Sequence, residues 1–247
     1  MAVKSAQALK VDGLSFGYEK ERPVVNDLSF AVEAGERVGI IGPNGAGKST
    51  LLLLLNGILK PWQGTIEVLG LRSCEQNQEQ IKQRIGLVFQ NPEDQLFCPT
   101  VFEDVAFGPI NFGLSREEVK IRVTQALDEV GMTGFEERST LNLSFGEKKL
   151  TAIATILSMK PQIVLLDEPT GNLDAIHRRK IIQWVAQNGR TCLITSHDLD
   201  MIYDTCERTV VLNRGRIVAD GPTRRILQDR PLLEQNDLEL PLRFQYH

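Results

Sequence analysis

Apolar and polar residues alternate, imperfectly, over positions 9–16 and 24–32, with Pro23 and Gly35 as punctuation. A period of two predicts β-strands at both places. Residues 37–41, Arg-Val-Gly-Ile-Ile, form a short apolar run that leads into a glycine-rich turn. The leucine-rich stretch from about 48 to 56 then predicts a helix. Further on, three Ser or Thr residues each precede a Glu by three positions: Thr100 with Glu103, Ser115 with Glu118, and Ser144 with Glu147. This spacing is the capping-box signature of a helix start. The second helix is expected to end near Val130, with Gly131 at its C-cap, and the third near Met159, ahead of Pro161. Residues of about 91–159 therefore read as a helical insertion.

Strands return after it. Residues 162–166 and 192–195 are continuous apolar runs, as expected of parallel strands buried on both faces. Helical patterns separate them, which predicts an α/β fold with a mainly parallel sheet. Residues 209–212 and 216–218 read as a last hairpin, turning through Asn213-Arg214-Gly215. The tail from about 221 reads as partly helical and polar. No repeat, low-complexity segment or flexible linker divides the chain, so residues 1–247 are expected to form one domain.

Two segments carry phosphate chemistry. Gly42-Pro43-Asn44-Gly45-Ala46-Gly47-Lys48-Ser49-Thr50 fits GxxxxGK[ST], between an apolar strand and a helix. Its glycines let successive N–H groups aim at phosphate oxygens. Lys48 supplies a charge to the β and γ phosphates, Ser49 offers a hydroxyl to Mg²⁺, and Thr50 opens a helix whose positive end favours an anion. The second segment, 163–169, ends a buried strand with Asp167, Glu168 and Pro169. Neighbours on a strand face opposite ways. Asp167 is thus free to reach the Mg²⁺ shell beside Ser49, and Glu168 to orient the attacking water.

A third segment, Leu143-Ser144-Phe145-Gly146-Glu147, resembles the signature of ATP-binding-cassette (ABC) ATPases, usually LSGGQ. Further counterparts of that family follow its order. Tyr18 resembles the A-loop aromatic that stacks on adenine, Gln90 the Q-loop glutamine and metal ligand, Asp174 the D-loop aspartate, and His197 the H-loop histidine. The resemblance covers about residues 8–220. It implies a P-loop NTPase fold with an N-terminal antiparallel β subdomain and the helical insertion. It also implies two cassettes packed head to tail around two ATPs. Ser144 and Gly146 of one subunit would then meet the γ-phosphate held by the other. His197 would bond that phosphate, and Asp174 would link the two sites. There are departures. Phe145 replaces the first signature glycine, Glu147 the glutamine, and Leu150 a residue that is commonly basic. A side chain at 145 narrows the approach of phosphate to backbone.

The wording Leu-Ser-x-Gly-Glu-Lys-Lys, the segment 90–97 (Gln-Asn-Pro-Glu-Asp-Gln-Leu-Phe) and the segment 101–109 resemble the ATPases of energy-coupling-factor importers, especially the cobalt/nickel branch. In that group the Q-loop segment helps form a groove for helices of a transmembrane scaffold protein. The resemblance implies an ATPase subunit, favoured as a homodimer, on the cytoplasmic face of a membrane. Its partners would be a scaffold and a substrate-binding membrane protein. A cassette serving a vitamin or other solute, and a soluble non-transport ABC ATPase, stay as alternatives.

Composition limits these readings. A net charge of −4 over 247 residues opposes a basic nucleic-acid footprint. No run approaches the length of a transmembrane helix, and residues 1–10 lack a secretory apolar core, so a membrane role is expected to be peripheral. Cys74, Cys98, Cys192 and Cys206 show no metal or redox spacing and read as reduced thiols. His177 and His247 read as ordinary surface residues.

Overall fold

A computed structural model describes residues 7–245. Two sheets form the frame. Strands β1 (Gln7–Phe16), β2 (Val25–Glu33), β4 (Gln63–Val68) and β5 (Leu71–Arg72) make an antiparallel sheet in the order β2-β1-β4-β5. Strands β3 (Arg37–Ile41), β6 (Ile85–Val88), β7 (Ile163–Asp167), β8 (Thr191–Thr195), β9 (Arg208–Asn213) and β10 (Arg216–Pro222) make the second, in the order β10-β9-β3-β8-β7-β6. All neighbours in it are parallel except the edge pair β9–β10. The expected α/β class is what the chain adopts. The apolar runs are apolar because every residue of β6, β7 and β8 is buried.

Helix α1 (Lys48–Asn56) packs between the sheets. Its Leu51, Leu52, Leu54 and Leu55 are at most 1% exposed. Each contributes about 1.5–3 kcal/mol by leaving water, so the helix is fixed even though Gly47 gives it no side-chain cap. Helix α2 (Gln78–Arg84) precedes β6. Helices α3 (Val101–Asn111), α4 (Arg116–Glu129) and α5 (Phe145–Leu157) pack on one another as the insertion. All three capping boxes are formed, each cap worth about 1 kcal/mol. The third helix ends two residues before the expected Met159, in a turn with the Met159 N–H on Ile156 O. Helices α6 (Ala175–Gln187), α7 (Leu199–Thr205), α8 (Thr223–Ile226) and α9 (Arg230–Gln235) complete the fold. Strands β4 and β5 and helix α2 had no counterpart in the sequence reading. They are short, and four of the six residues of β4 are not fully buried, so their patterns are weak.

Leu150, at the commonly basic position of the signature helix, is buried in the core shared by the insertion and the parallel sheet. No helix of the described residues is long and apolar enough to cross a membrane. The four cysteines are free. His247 lies outside the described residues.

Candidate functional site

The turn from β3 into α1 brings the phosphate loop to the C-terminal edge of the parallel sheet. Two glycines are required by their surroundings. A Cβ at Gly42 would fall 2.1 Å from Leu212 O, and Gly47, at φ 99°, would place one 2.6 Å from Val24 O. The uncapped start of α1 leaves its first N–H groups directed into the loop, where an anion can accept them. Lys48 is buried. Its Nζ donates to Gly42 O at 2.8 Å and Pro43 O at 3.1 Å, and lies 3.2 Å from His197 Nε2. Burial lowers its pKa, while Glu168 and Asp167 partly hold it up.

Strand β7 delivers Asp167 beside this loop. Ser49 Oγ donates to Asp167 Oδ1 at 3.1 Å, and Thr195 Oγ1, from β8, donates to the same oxygen at 2.6 Å. The divergence of the two carboxylates has a different cause from simple strand alternation. β7 ends at Asp167, and Glu168 turns off it in the left-handed region at φ 44°. A non-glycine residue rarely sits there. The turn is held because Glu168 N donates to Thr195 O at 3.1 Å. Glu168 Oε2 then accepts from the His197 N–H at 3.0 Å. Its Oε1 is buried without a hydrogen bond and lies 3.4 Å from His197 Nε2.

Lys48, Ser49, Glu168 and His197 share one cavity of about 420 Å³ with Tyr18, Val24, Asn44, Gly45, Ala46, Gly47, Thr50 and Gln90, while Asp167 is outside its lining and joins it through Ser49. Tyr18 is 63% exposed at its mouth, with its hydroxyl 3.3 Å from Thr50 Oγ1 and its ring edge-on to Phe16 at 5.2 Å. An exposed aromatic beside an anion cradle suits a base stacked above its phosphates. Gln90 follows β6 and is exposed.

Ser144, Gly146 and Asp174 do not line that cavity. They gather into a second patch at the starts of α5 and α6. Ser144 caps α5, accepting from Glu147 N at 3.3 Å while Glu147 Oε2 accepts from Ser144 N at 2.7 Å. That backbone hydrogen bond holds the Glu147 carboxyl below its ordinary pKa. Phe145, the first residue of α5, is half-buried. Asp174 caps α6 through Ile176 N and His177 N. His177, expected to be a plain surface residue, is instead tied into this patch. Its Nδ1 lies 2.6 Å from Asp174 Oδ2, and its ring fills the space over Gly146, where a Cβ would fall 2.3 Å from His177 Cγ. Glycine stands at 146 because an imidazole occupies its side-chain position.

Three further residues support the site and were not read from the sequence. Thr195 holds both Asp167 and Glu168. Arg178 forms a two-pronged ion pair with Asp198, the cap of α7, at 2.7 and 2.9 Å. Lys149 is wholly buried on α5. Each depends on a partner distant in sequence, so no local spacing announces it.

A phosphate loop at the edge of a parallel sheet, with an acidic strand end and a histidine around one cavity, defines a P-loop nucleotide triphosphatase. The family model described as ABC transporter matches residues 25–171. The chain belongs to the ABC transporter family and is an ATP-binding ATPase cassette. It is 48% identical to the energy-coupling factor transporter ATP-binding protein EcfA of Methanothermobacter thermautotrophicus, over 94% of this chain and 76% of that protein. Among solved structures it resembles CbiO1 from Clostridium perfringens, part of the ABC transporter complex CbiONQ, with a TM-score of 0.83, 33% identity and 94% of each chain covered. It also resembles the bacterial ABC transporter cassette MJ0796, solved as a dimer. The TM-score there is 0.78, with 27% identity, 87% of this chain and 99% of that one.

Proposed function

We propose that this chain is the ATP-hydrolysing subunit of an energy-coupling-factor importer, working as a head-to-tail homodimer on the cytoplasmic face of a membrane, with cobalt or nickel ions as cargo. The whole chain serves as one cassette, with residues of about 91–159 as its helical subdomain.

The carrying observation is an apolar groove beside the Q-loop. A cavity of about 340 Å³ lies between β6, α3 and α5, with Phe97, Phe107 and Ile58 at least 47% exposed around it. The acidic turn Pro92–Asp94 stands next to it. An apolar groove rimmed by charge suits an amphipathic helix of a partner. The likeness to EcfA and to CbiO1 supports the same reading.

In this mechanism Tyr18 stacks on the base, and the loop from Gly42 to Thr50 cradles the phosphates, with Lys48 on the β and γ groups. Ser49, Asp167 and Gln90 bring oxygen donors together, a set that fits Mg²⁺, and Ser49 and Asp167 already touch. When bound, the ion neutralises charge on the β and γ oxygens. Glu168 orients and polarises the attacking water, and His197 bonds the γ-phosphate. Ser144 and Gly146 of the partner subunit close the far side, and Asp174 links the sites. Ser144, Gly146 and Asp174 lie outside the cavity of the phosphate loop in one chain, and the head-to-tail pairing accounts for that separation.

The test is purification from mildly solubilised membranes. A transmembrane scaffold together with a small, separate substrate-binding membrane protein is the expected company, and ion binding by the latter checks the cargo. A single large permease, or only soluble partners, would remove the energy-coupling-factor reading and leave the ATPase.

A further inference from the structure

Lys149 has no side-chain exposure, yet it carries an ammonium group and forms no ion pair among the described residues. Its Nζ instead donates to two main-chain carbonyls, Phe89 O at 3.1 Å and Gln90 O at 2.5 Å. Burying a charge is costly unless strong hydrogen bonds replace water. Burial pushes its pKa down to about 8, against the pull of Asp167 and Glu168. A neutral residue would fill this position of α5 more cheaply.

The two carbonyls belong to the segment that carries Gln90 and borders the apolar groove. Two further ties join that segment to the same helix. Lys148 Nζ meets Glu93 Oε1 at 2.6 Å. Gln95 donates to Ala152 O and Thr155 Oγ1, both at 2.8 Å, and accepts from Phe89 N. The Q-loop is thereby suspended from α5, whose first residues are the signature. Lys149 is the tie closest to Gln90.

We propose that Lys149 is a positioning residue that locks the Q-loop backbone to the signature helix, so that contact of Ser144 and Gly146 with the partner's ATP sets the placement of Gln90 in the chain's own site. This rests on the head-to-tail reading above. Lys149 touches no nucleotide; it acts through the Phe89 and Gln90 carbonyls. The signature helix and the membrane-facing groove then move as one piece, and ATP in one site is communicated to the other.

The test compares K149M, of nearly equal shape but without donors, and K149R, which keeps the charge and the donors, with the full-length wild type. Hydrogen–deuterium exchange over residues 89–97 is expected to quicken in K149M while the parallel sheet keeps its protection. K149R is expected to restore it. Turnover in K149M should fall on the order of tenfold to a hundredfold, the usual consequence of misplacing a positioning group. It should also lose cooperativity in ATP and require more Mg²⁺. Unchanged exchange over 89–97 in K149M overturns the proposal. So does a loss of turnover that follows loss of folded protein, with ATP cooperativity and Mg²⁺ requirement unaltered. Failure of the wild type to dimerise with ATP would instead strike the head-to-tail reading, which the exchange measurement does not use.

Discussion

The His197 N–H donates to Glu168 Oε2 at 3.0 Å, so the residue proposed to orient water is held by the backbone of the residue proposed to hold phosphate. The bond keeps Glu168 in a fixed orientation despite its left-handed φ of 44°. Glutamine at 168 retains a carbonyl oxygen for that N–H but cannot polarise a water as a base. Glu168→Gln is expected to bind ATP as the wild type does and to hydrolyse it about 10²–10⁴ times more slowly, the range for loss of a general base. Fluorescent-nucleotide titration and phosphate release check the two halves. A variant that turns over at the wild-type rate would remove Glu168 from the mechanism.

Lys48 imposes a cost on the protein without nucleotide. It is buried, and its pKa is lowered because burial disfavours its charge. Lys48→Ala relieves that burial, although Gly42 O and Pro43 O lose a donor. The melting temperature without nucleotide should therefore change little. ATP affinity should fall roughly 10–100-fold, equivalent to the ~1.5–3 kcal/mol of a hydrogen bond to a charged group. Turnover should fall with it. Thermal shift with and without ATP separates the effects; equal stabilisation of variant and wild type by ATP would contradict the assignment.

Gly146 and His177 form a pair that can be tested by a mutant cycle. In a helix, glycine to alanine ordinarily stabilises by about 1 kcal/mol. Here the added methyl meets His177 Cγ at 2.3 Å, and the ring is tethered to Asp174. Gly146→Ala is expected to destabilise and to reduce turnover. Combined with His177→Ala, which clears the space, the loss should be partly regained, with a coupling above ~0.5 kcal/mol. Strictly additive effects in denaturant melts would show that the contact is not tight.

The local parts of this molecule were legible in its sequence. Lys48 to Asn56 forms a helix where the leucines predict it, and all three capping boxes close, because such signals lie within one turn of chain. The phosphate loop and Glu168 were legible as motifs, while Tyr18, Gln90 and His197 were legible only through the resemblance to ABC ATPases; the fold gathers all of them around one cavity. What escaped was long-range. The turn at Glu168 depends on Thr195 across the sheet, and the constraint on Gly146 comes from a ring on α6. Lys149 looks in sequence like one more surface lysine beside Lys148. Only packing reveals that its ammonium is inside.

The cysteines give a test that reaches beyond the site. Cys192 and Cys206 are buried, and burial raises their thiols to about 11 and about 12. Cys98 is half-buried, and burial with the neighbouring Asp104 raises it to about 11. Thiolate is the reactive form, so at pH 8 a thiol titrating near 11 is ionised to roughly one part in a thousand. Cys74 alone is exposed among the four. Under native conditions iodoacetamide is expected to modify Cys74 first and Cys98 slowly, with Cys192 and Cys206 reacting only after denaturation. Raising the pH toward 10 should speed Cys98, since its ionised fraction grows about tenfold per pH unit below its pKa. Peptide mass spectrometry reads all four positions. Cys74 does not line the nucleotide cavity, so labelling it should leave turnover unchanged. Early labelling of Cys192 would mean that β8 opens in the native state, and with it the Thr195 support beneath Asp167 and Glu168.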